Sequence, residues 1–195
     1  AGVPERAALQ IASGWLRTAD YLLDDEDVRA DVVVGNPPYI RSDELDQQAE
    51  YTYRRMYRSM TGRADIYVAF FEKGIGQLRP GGKHAFICAD RWMKNRYGGP
   101  LRCLVAEQFH LKIHIDMVGT PAFHSDVIAY PAITVINRET PGTTRIAHRP
   151  AIDRGFLSKL AAILRADHLP KDCTTVREVA GVTDGAEPWL LESAD

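Results

Sequence analysis

The chain has 195 residues, 45% of them hydrophobic, and a formal net charge of −2 at pH 7, which suits one domain with a real core. The near-neutral charge argues against a free-standing, strongly basic nucleic-acid-binding module. Widely spaced cysteines, histidines without ligand spacing and the lack of a signal peptide or membrane-length apolar run predict a cytoplasmic chain without disulfides, a metal site or a membrane span.

The first third of the chain is predicted to hold a helix and two strands. Residues 5–13 have a helical pattern, residues 15–19 form a weaker candidate strand, and the apolar run at residues 32–35 is typical of a buried parallel strand. Partial helix and loop are expected over residues 42–61. Residues 1–4 lack an initiator Met and pass directly into the first helix, which suggests a cut inside a longer polypeptide.

The rest of the chain alternates between helices and strands. The predicted elements are a helix over 65–78, a strand over 83–89, a helix over 100–109, strands over 111–118 and 131–137, and a helix capped by Asp153. This alternation predicts an α/β fold with a mostly parallel, doubly wound sheet. The last two strands have no helix between them, so they are expected to form a hairpin-like antiparallel edge of the sheet.

The sequence Asn36-Pro37-Pro38-Tyr39 follows the first buried strand directly. Ligands of open α/β sheets bind outside the carboxyl ends of the strands. Asn36 offers a side-chain carbonyl and Pro37 a backbone carbonyl, the two prolines stiffen the loop, and Tyr39 offers a flat aromatic face. This combination suits methyl transfer to a nitrogen whose lone pair is delocalised, although a strand followed by a plain Pro-Pro turn has the same sequence.

An ordered series of motifs over about residues 18–137 resembles the N6-adenine DNA methyltransferases, in particular the large restriction-modification enzymes of the Eco57I type. The series comprises Asp20-Tyr21, Asn36-Pro37-Pro38-Tyr39, the block 65–82, Phe123 and residues 131–136. The resemblance implies a Rossmann-like class I methyltransferase sheet, S-adenosyl-L-methionine as cofactor, and base flipping from double-stranded DNA. It also implies a place in a restriction-modification or related defence enzyme.

Roles for individual residues follow from the same resemblance. It implies a catalytic loop of Asn36, Pro37, Pro38 and Tyr39, base stacking by Tyr39 and Phe123, and cofactor contacts by Asp20, Tyr21, Asn36, Pro38 and Phe70. Three further basic residues, Arg91, Lys94 and Arg96, follow a strand end, where they either contact DNA phosphates or are scattered surface charge.

The chain also departs from the family. The Gly-rich loop and the ribose-binding acidic residue that precede these motifs in relatives are missing from the sequence. We therefore expect an incomplete cofactor half, weak or absent S-adenosylmethionine binding by the isolated chain, and an inactive fragment. We divide it into a partial catalytic domain, 1–150, and a helix and linker, 151–195, that lead toward a target-recognition domain in the remainder of its own polypeptide.

Two other functions stay open from the sequence. The same four-residue loop serves enzymes that methylate the glutamine amide of release factors, and some RNA methyltransferases. The missing Gly-rich loop alternatively favours a non-catalytic DNA-binding or scaffold piece.

Overall fold

The computed structural model describes residues 4–122, 130–183, 185–189 and 191, which form one mixed sheet with helices on both faces. The strands are β1 (Ala30–Gly35), β2 (Leu78–Ala89), β3 (His110–Asp116), β4 (Pro131–Asn137), β5 (Thr144–His148) and β6 (Arg177–Val179). The helices are α1 (Glu5–Trp15), α2 (Gln47–Met56), α3 (Tyr67–Gly76), α4 (Arg91–Lys94), α5 (Gly99–Gln108) and α6 (Arg154–Arg165), with 3-10 turns at Ser42–Glu44 and Arg96–Gly98.

The strand order is β1-β2-β4-β3-β5-β6. β1 is parallel to β2, and β3 is parallel to β5, while β4 runs antiparallel between β2 and β3, and β6 runs antiparallel to β5. Four strands therefore share one direction, and the predicted α/β fold with a mostly parallel sheet is confirmed. The expected antiparallel pair, β3 and β4, lies inside the sheet, because β5 and β6 extend it beyond β3.

Each face of the sheet carries its own apolar core. On one face Phe86 of β2 packs with Phe71 of α3 and Leu101 of α5 in the larger cluster of buried side chains. On the other face Ile115 of β3 belongs to a second cluster with Leu160 of α6. Helices on both faces are the usual way in which parallel strands are buried.

Strand β1, at one edge of the sheet, is more exposed to solvent than its apolar sequence predicts. Val32 and Val34 are 58% and 75% exposed, on the face opposite Val33, which packs against the larger core. α1 has no buried residue. An apolar strand of this kind is typical of a sheet interior, yet among the described residues β1 pairs only with β2.

The predicted strand over residues 15–19 is wrong. Trp15 is the last residue of α1, and residues 16–19 are irregular. Within the described ranges no strand lies beyond β1 for this segment to pair with, and an apolar run without a partner strand cannot form a ladder.

Both ends of α6 are fixed by side chains. At its start the Asp153 carboxylate accepts a hydrogen bond from the Phe156 amide (2.9 Å), a cap that contributes about 1 kcal/mol. At its end the buried guanidinium of Arg145, on β5, donates to the carbonyl oxygens of Ile163 (3.2 Å) and Ala166 (2.5 Å). Arg145 also pairs with Glu178 (2.9 Å). These contacts attach α6, which lies after residue 150 in the chain, to strand β5 of the sheet.

Among the helices of the described ranges, none combines the length and the hydrophobicity needed to cross a membrane.

Candidate active site

The Asn-Pro-Pro-Tyr loop begins where β1 ends. The parallel register pairs Gly35 with Phe86, so Asn36 leaves the sheet beside the last residues of β2. Asn36 is exposed, whereas Pro37 is buried. The structure therefore presents the Asn36 amide to solvent on a backbone that two prolines restrict.

Tyr39 lies at the same end of the sheet, where the parallel strands β1 and β2 finish. It is 39% exposed, and its hydroxyl lies near the thiol of Cys88 at the end of β2. Burial, with a smaller contribution from Cys88, raises the pKa of Tyr39 to about 12, so the phenol is neutral at pH 7. One residue further on, the Ile66 amide donates to the Ile40 carbonyl (3.0 Å), which ties the loop to the start of α3.

Asp20 is already engaged within the protein. One carboxylate oxygen accepts a hydrogen bond from the Leu22 amide (2.9 Å), and the other accepts from the Tyr53 hydroxyl of α2 (2.6 Å). A ligand could be held by Asp20 only if it shared these oxygens or displaced Tyr53. The predicted cofactor contact at Asp20 stays a prediction.

Tyr21 and Phe70 form an aromatic wall beside α3. Their rings stack with centroids 5.3 Å apart and planes inclined by 27°. The Tyr21 hydroxyl donates to the side-chain oxygen of Gln77 (2.7 Å), and the Lys73 ammonium lies 4.9 Å from the Tyr21 ring centroid. Such a wall fits one side of an adenine ring. The described residues thus fit part of an adenosine, and the contacts by Tyr21 and Phe70 stay predictions.

The basic turn, residues 91–98, follows β2 directly and comprises α4 and the second 3-10 turn. Arg91, Lys94 and Arg96 are all exposed. The Arg91 guanidinium lies 4.9 Å from the Tyr130 ring centroid, and the Lys94 ammonium lies 3.6 Å from the Asp90 carboxylate. Because β1 and β2 are parallel, the basic turn and Asn36 lie at one edge of the sheet, although phosphate binding stays a prediction.

Phe123 lies outside the described residues, so its predicted stacking on a flipped base stays a prediction. It belongs to the connection between β3 and β4. At the base of that connection the Met117 amide donates to the Pro131 carbonyl (2.9 Å). The connection therefore leaves and rejoins the sheet at the same edge as Asn36.

A polar cleft next to the Asn-Pro-Pro-Tyr loop was not predicted from the sequence. Its volume is about 620 Å³, and its lining side chains include three arginines and three carboxylates: Arg41, Arg54, Arg63, Asp43, Glu50 and Asp65. Burial raises the pKa of the Asp65 carboxyl, which Arg91 and Arg41 oppose. These residues lie between positions 41 and 65, and only Arg41, two residues after Tyr39, and Asp65, the first residue of the motif block 65–82, had positions that pointed to the site.

Comparisons with known proteins agree with the motif series. The model of the family described as Eco57I restriction-modification methylase matches residues 10–123. The chain is 59% identical to the Type II methyltransferase M.PaeR7I of Pseudomonas aeruginosa and 43% identical to M.XhoI of Xanthomonas vasicola. Each alignment covers 100% of this chain but only 34% and 36% of those relatives. The chain thus spans about a third of the relatives' length.

Solved structures share the fold at low sequence identity. The methyltransferase subunit of a type I restriction-modification system from Streptococcus thermophilus matches with a TM-score of 0.60 at 14% identity, over 82% of this chain and 37% of its own. A Listeria monocytogenes protein assigned as a class I S-adenosylmethionine-dependent methyltransferase matches with a TM-score of 0.55 at 18% identity, over 73% and 44%. The class I methyltransferase sheet is confirmed, and the chain holds part of it.

Proposed function

Because the chain belongs to the Eco57I restriction-modification methylase family, we propose that its full-length protein is a site-specific DNA adenine-N6 methyltransferase of a restriction-modification or related defence enzyme. It uses S-adenosylmethionine and flips the target base. The observation that carries this proposal is the exposed Asn36 at the start of the diproline loop, beside Tyr39 and at the same end of the strands as the basic turn.

The loop chemistry suits an exocyclic amine, which is a poor nucleophile because its lone pair is delocalised into the ring. The Asn36 side-chain oxygen and the Pro37 carbonyl accept the two amine hydrogens, and the nitrogen can then pyramidalise. S-adenosylmethionine, when bound, supplies the electrophilic methyl group. Catalysis is thus positioning and electrostatic stabilisation, and no side chain in the loop needs to titrate.

Base flipping gives Tyr39 its second role. Extruding a base from a duplex costs a few kcal/mol, and stacking on an aromatic side chain returns about 1–3 kcal/mol. Tyr39 on one face of the base and Phe123 on the other would together offset most of the extrusion cost. The partial exposure of Tyr39 supports this role, because a fully buried ring could not accept a base.

We assign binding of the DNA backbone to the basic turn. Arg91, Lys94 and Arg96 contact phosphates and fix the register of the duplex on the protein, without reading its sequence. Sequence recognition belongs to the target-recognition domain to which residues 151–195 lead. Double-stranded DNA and the remainder of the polypeptide are the partners of residues 1–150, the partial catalytic domain.

Methyl transfer from labelled S-adenosylmethionine by the full-length protein tests the proposal. We expect label in duplex DNA, recovered as N6-methyladenine after digestion, and none in RNA or in a release factor carrying a glutamine acceptor. Label confined to RNA or to the release factor would show that the loop serves another delocalised nitrogen. DNA binding without any transfer would instead support a non-catalytic role.

A further inference from the structure

Arg102 of α5 is a buried arginine that the proposed chemistry does not use. It is only 2% exposed, and each of its hydrogen bonds ends on a backbone carbonyl. Its guanidinium donates to Trp92, to Asn95 (2.8 Å), and twice to Ala186 (2.9 and 2.6 Å). A buried charge is costly unless its donors are satisfied, and these carbonyls satisfy four of the five N–H donors of the guanidinium.

These carbonyls belong to two parts of the chain that are far apart in sequence. Trp92 and Asn95 are in the basic turn, whereas Ala186 is in the C-terminal segment, defined here as residues 185–189 and 191. Two further contacts join the same parts. The Trp189 amide donates to the Met93 carbonyl (2.9 Å), and the rings of Trp92 and Trp189 meet edge to face at 5.3 Å.

The basic turn has little room to change shape around Arg102. A Cβ atom on Gly98 would collide with the carbonyl oxygen of Trp92, the same oxygen that accepts from Arg102. The exposed side chains of the turn thus project from a backbone that is packed on its inner side.

From this arrangement we propose that Arg102 is a positioning residue for DNA binding. By tying the carbonyls of the basic turn to the C-terminal segment, it holds Arg91, Lys94 and Arg96 in the one arrangement in which they meet the phosphate backbone together. Arg102 itself does not touch the DNA. The inference rests on the proposed function, since it requires the basic turn to bind phosphates.

The salt dependence of DNA binding by the full-length protein tests this role, because log K falls with log salt by about 0.9 for each phosphate contact. Arg102→Lys keeps the charge but loses the planar fork that reaches several carbonyls at once. We expect a slope shallower by about 0.9 or more. In an Arg91→Gln, Lys94→Gln, Arg96→Gln background, whose slope is already shallow, Arg102→Lys should change nothing further.

Arg145→Lys is the matched control. Arg145 is also a buried arginine whose guanidinium binds helix carbonyls, but it does so at the end of α6, away from the basic turn. Both lysine variants should lower the thermal unfolding temperature. Only Arg102→Lys should change the salt slope, a readout that loss of stability alone does not move.

The outcomes separate the inference from the function on which it rests. A wild-type slope for folded Arg102→Lys, with a shallow slope for the triple variant, would overturn the inference and keep the phosphate contacts. A wild-type slope for the triple variant would overturn both. If Arg102→Lys does not fold, Trp189→Leu decides, since it loosens the same segment without changing Arg102: a shallower slope supports the inference, and an unchanged slope overturns it.

Discussion

Asn36 combines an exposed side chain with a backbone that neighbouring prolines restrict. The four residues 36–39 were enough to predict this combination. Prolines restrict φ wherever they occur, and the strand before them fixes where the loop starts. Asp20 shows the limit of the same approach. Its neighbours in sequence did not reveal that Tyr53, 33 positions away, donates a hydrogen bond to its carboxylate.

Replacing Asn36 by Ala should lower turnover by about two to three orders of magnitude. The substitution removes one of the two acceptors that hold the target amine, and loss of one such preorganised polar group lowers kcat by about 10²–10³-fold. DNA binding should stay within a few-fold of wild type, because Asn36 makes no phosphate contact in the proposal. Single-turnover methyl transfer and a filter-binding titration on the full-length protein measure the two effects.

Asn36→Asp is the matched control for this prediction. It keeps an acceptor oxygen at the same place and should retain far more activity than Asn36→Ala. Equal activities of the Ala and Asp variants would remove Asn36 from the catalytic group.

His84 on β2 should make stability depend on pH. It is fully buried, neither ring nitrogen has a hydrogen-bond partner among the described residues, and burial lowers its pKa to about 3. Unfolded histidine titrates near 6.5, so below that pH the unfolded chain binds a proton that the folded chain refuses. Stability is then complete above pH 6.5 and falls as the pH falls toward 3, by about 2 kcal/mol between pH 7 and 5.

Chemical unfolding of the wild type and of His84→Leu at pH 7 and pH 5 measures this contribution. The wild type should lose about 2 kcal/mol more than the variant over that interval. His114, whose pKa burial lowers to about 4, acts in the same direction but is present in both proteins and cancels. Identical losses would mean that His84 binds its proton equally well in the folded and unfolded states.

At the scale of elements, α3 lies against β2 through a glycine. A Cβ atom on Gly74 would come within 2.8 Å of the His84 ring, so the flat imidazole occupies the space that a side chain would need. The helical period of this segment was readable from the sequence, but this contact was not, because it joins residues on two elements.

Gly74→Ala should destabilise the protein by about 1–3 kcal/mol, the usual range for overpacking. Gly76→Ala, in the same helix, places its new Cβ more than 4 Å from any described atom outside the helix's own backbone and adjacent residues, and it should be neutral or stabilising by up to about 1 kcal/mol. Denaturant midpoints of the two variants test the contrast. Equal destabilisation by the two substitutions would mean that the effect comes from the helix backbone and not from the contact between Gly74 and His84.

Elements with a strong local signal were predicted well, and elements set by pairing between distant residues were not. β2 starts at Leu78, although the sequence predicted a helix up to residue 78 and a strand only from residue 83. β1, β4 and α6 form at the predicted positions because hydrophobic period and a capping aspartate are local signals. β5 and β6 have five and three residues, and their strand character comes from pairing with β3 and with each other. Such pairing is a long-range property that a short apolar run does not encode.

At the scale of the whole molecule, the isolated chain should bind S-adenosylmethionine weakly or not at all. The Gly-rich loop is missing from the sequence, Asp20 is bonded to Tyr53, and the apolar face of β1 is exposed. Titration calorimetry of the isolated chain and of the full-length protein tests this prediction. We expect binding only by the longer protein, whereas micromolar binding by the isolated chain would show that it holds a complete cofactor site.

The place of β4 affects the order in which the molecule can be assembled during synthesis. β2 and β3 are successive in the chain but share no ladder, since β4 lies between them. Until residue 137 has left the ribosome, no strand connects the β1–β2 pair to β3 by hydrogen bonds. A nascent chain arrested before residue 131 should therefore be digested readily by protease, and one arrested well beyond β5 should resist.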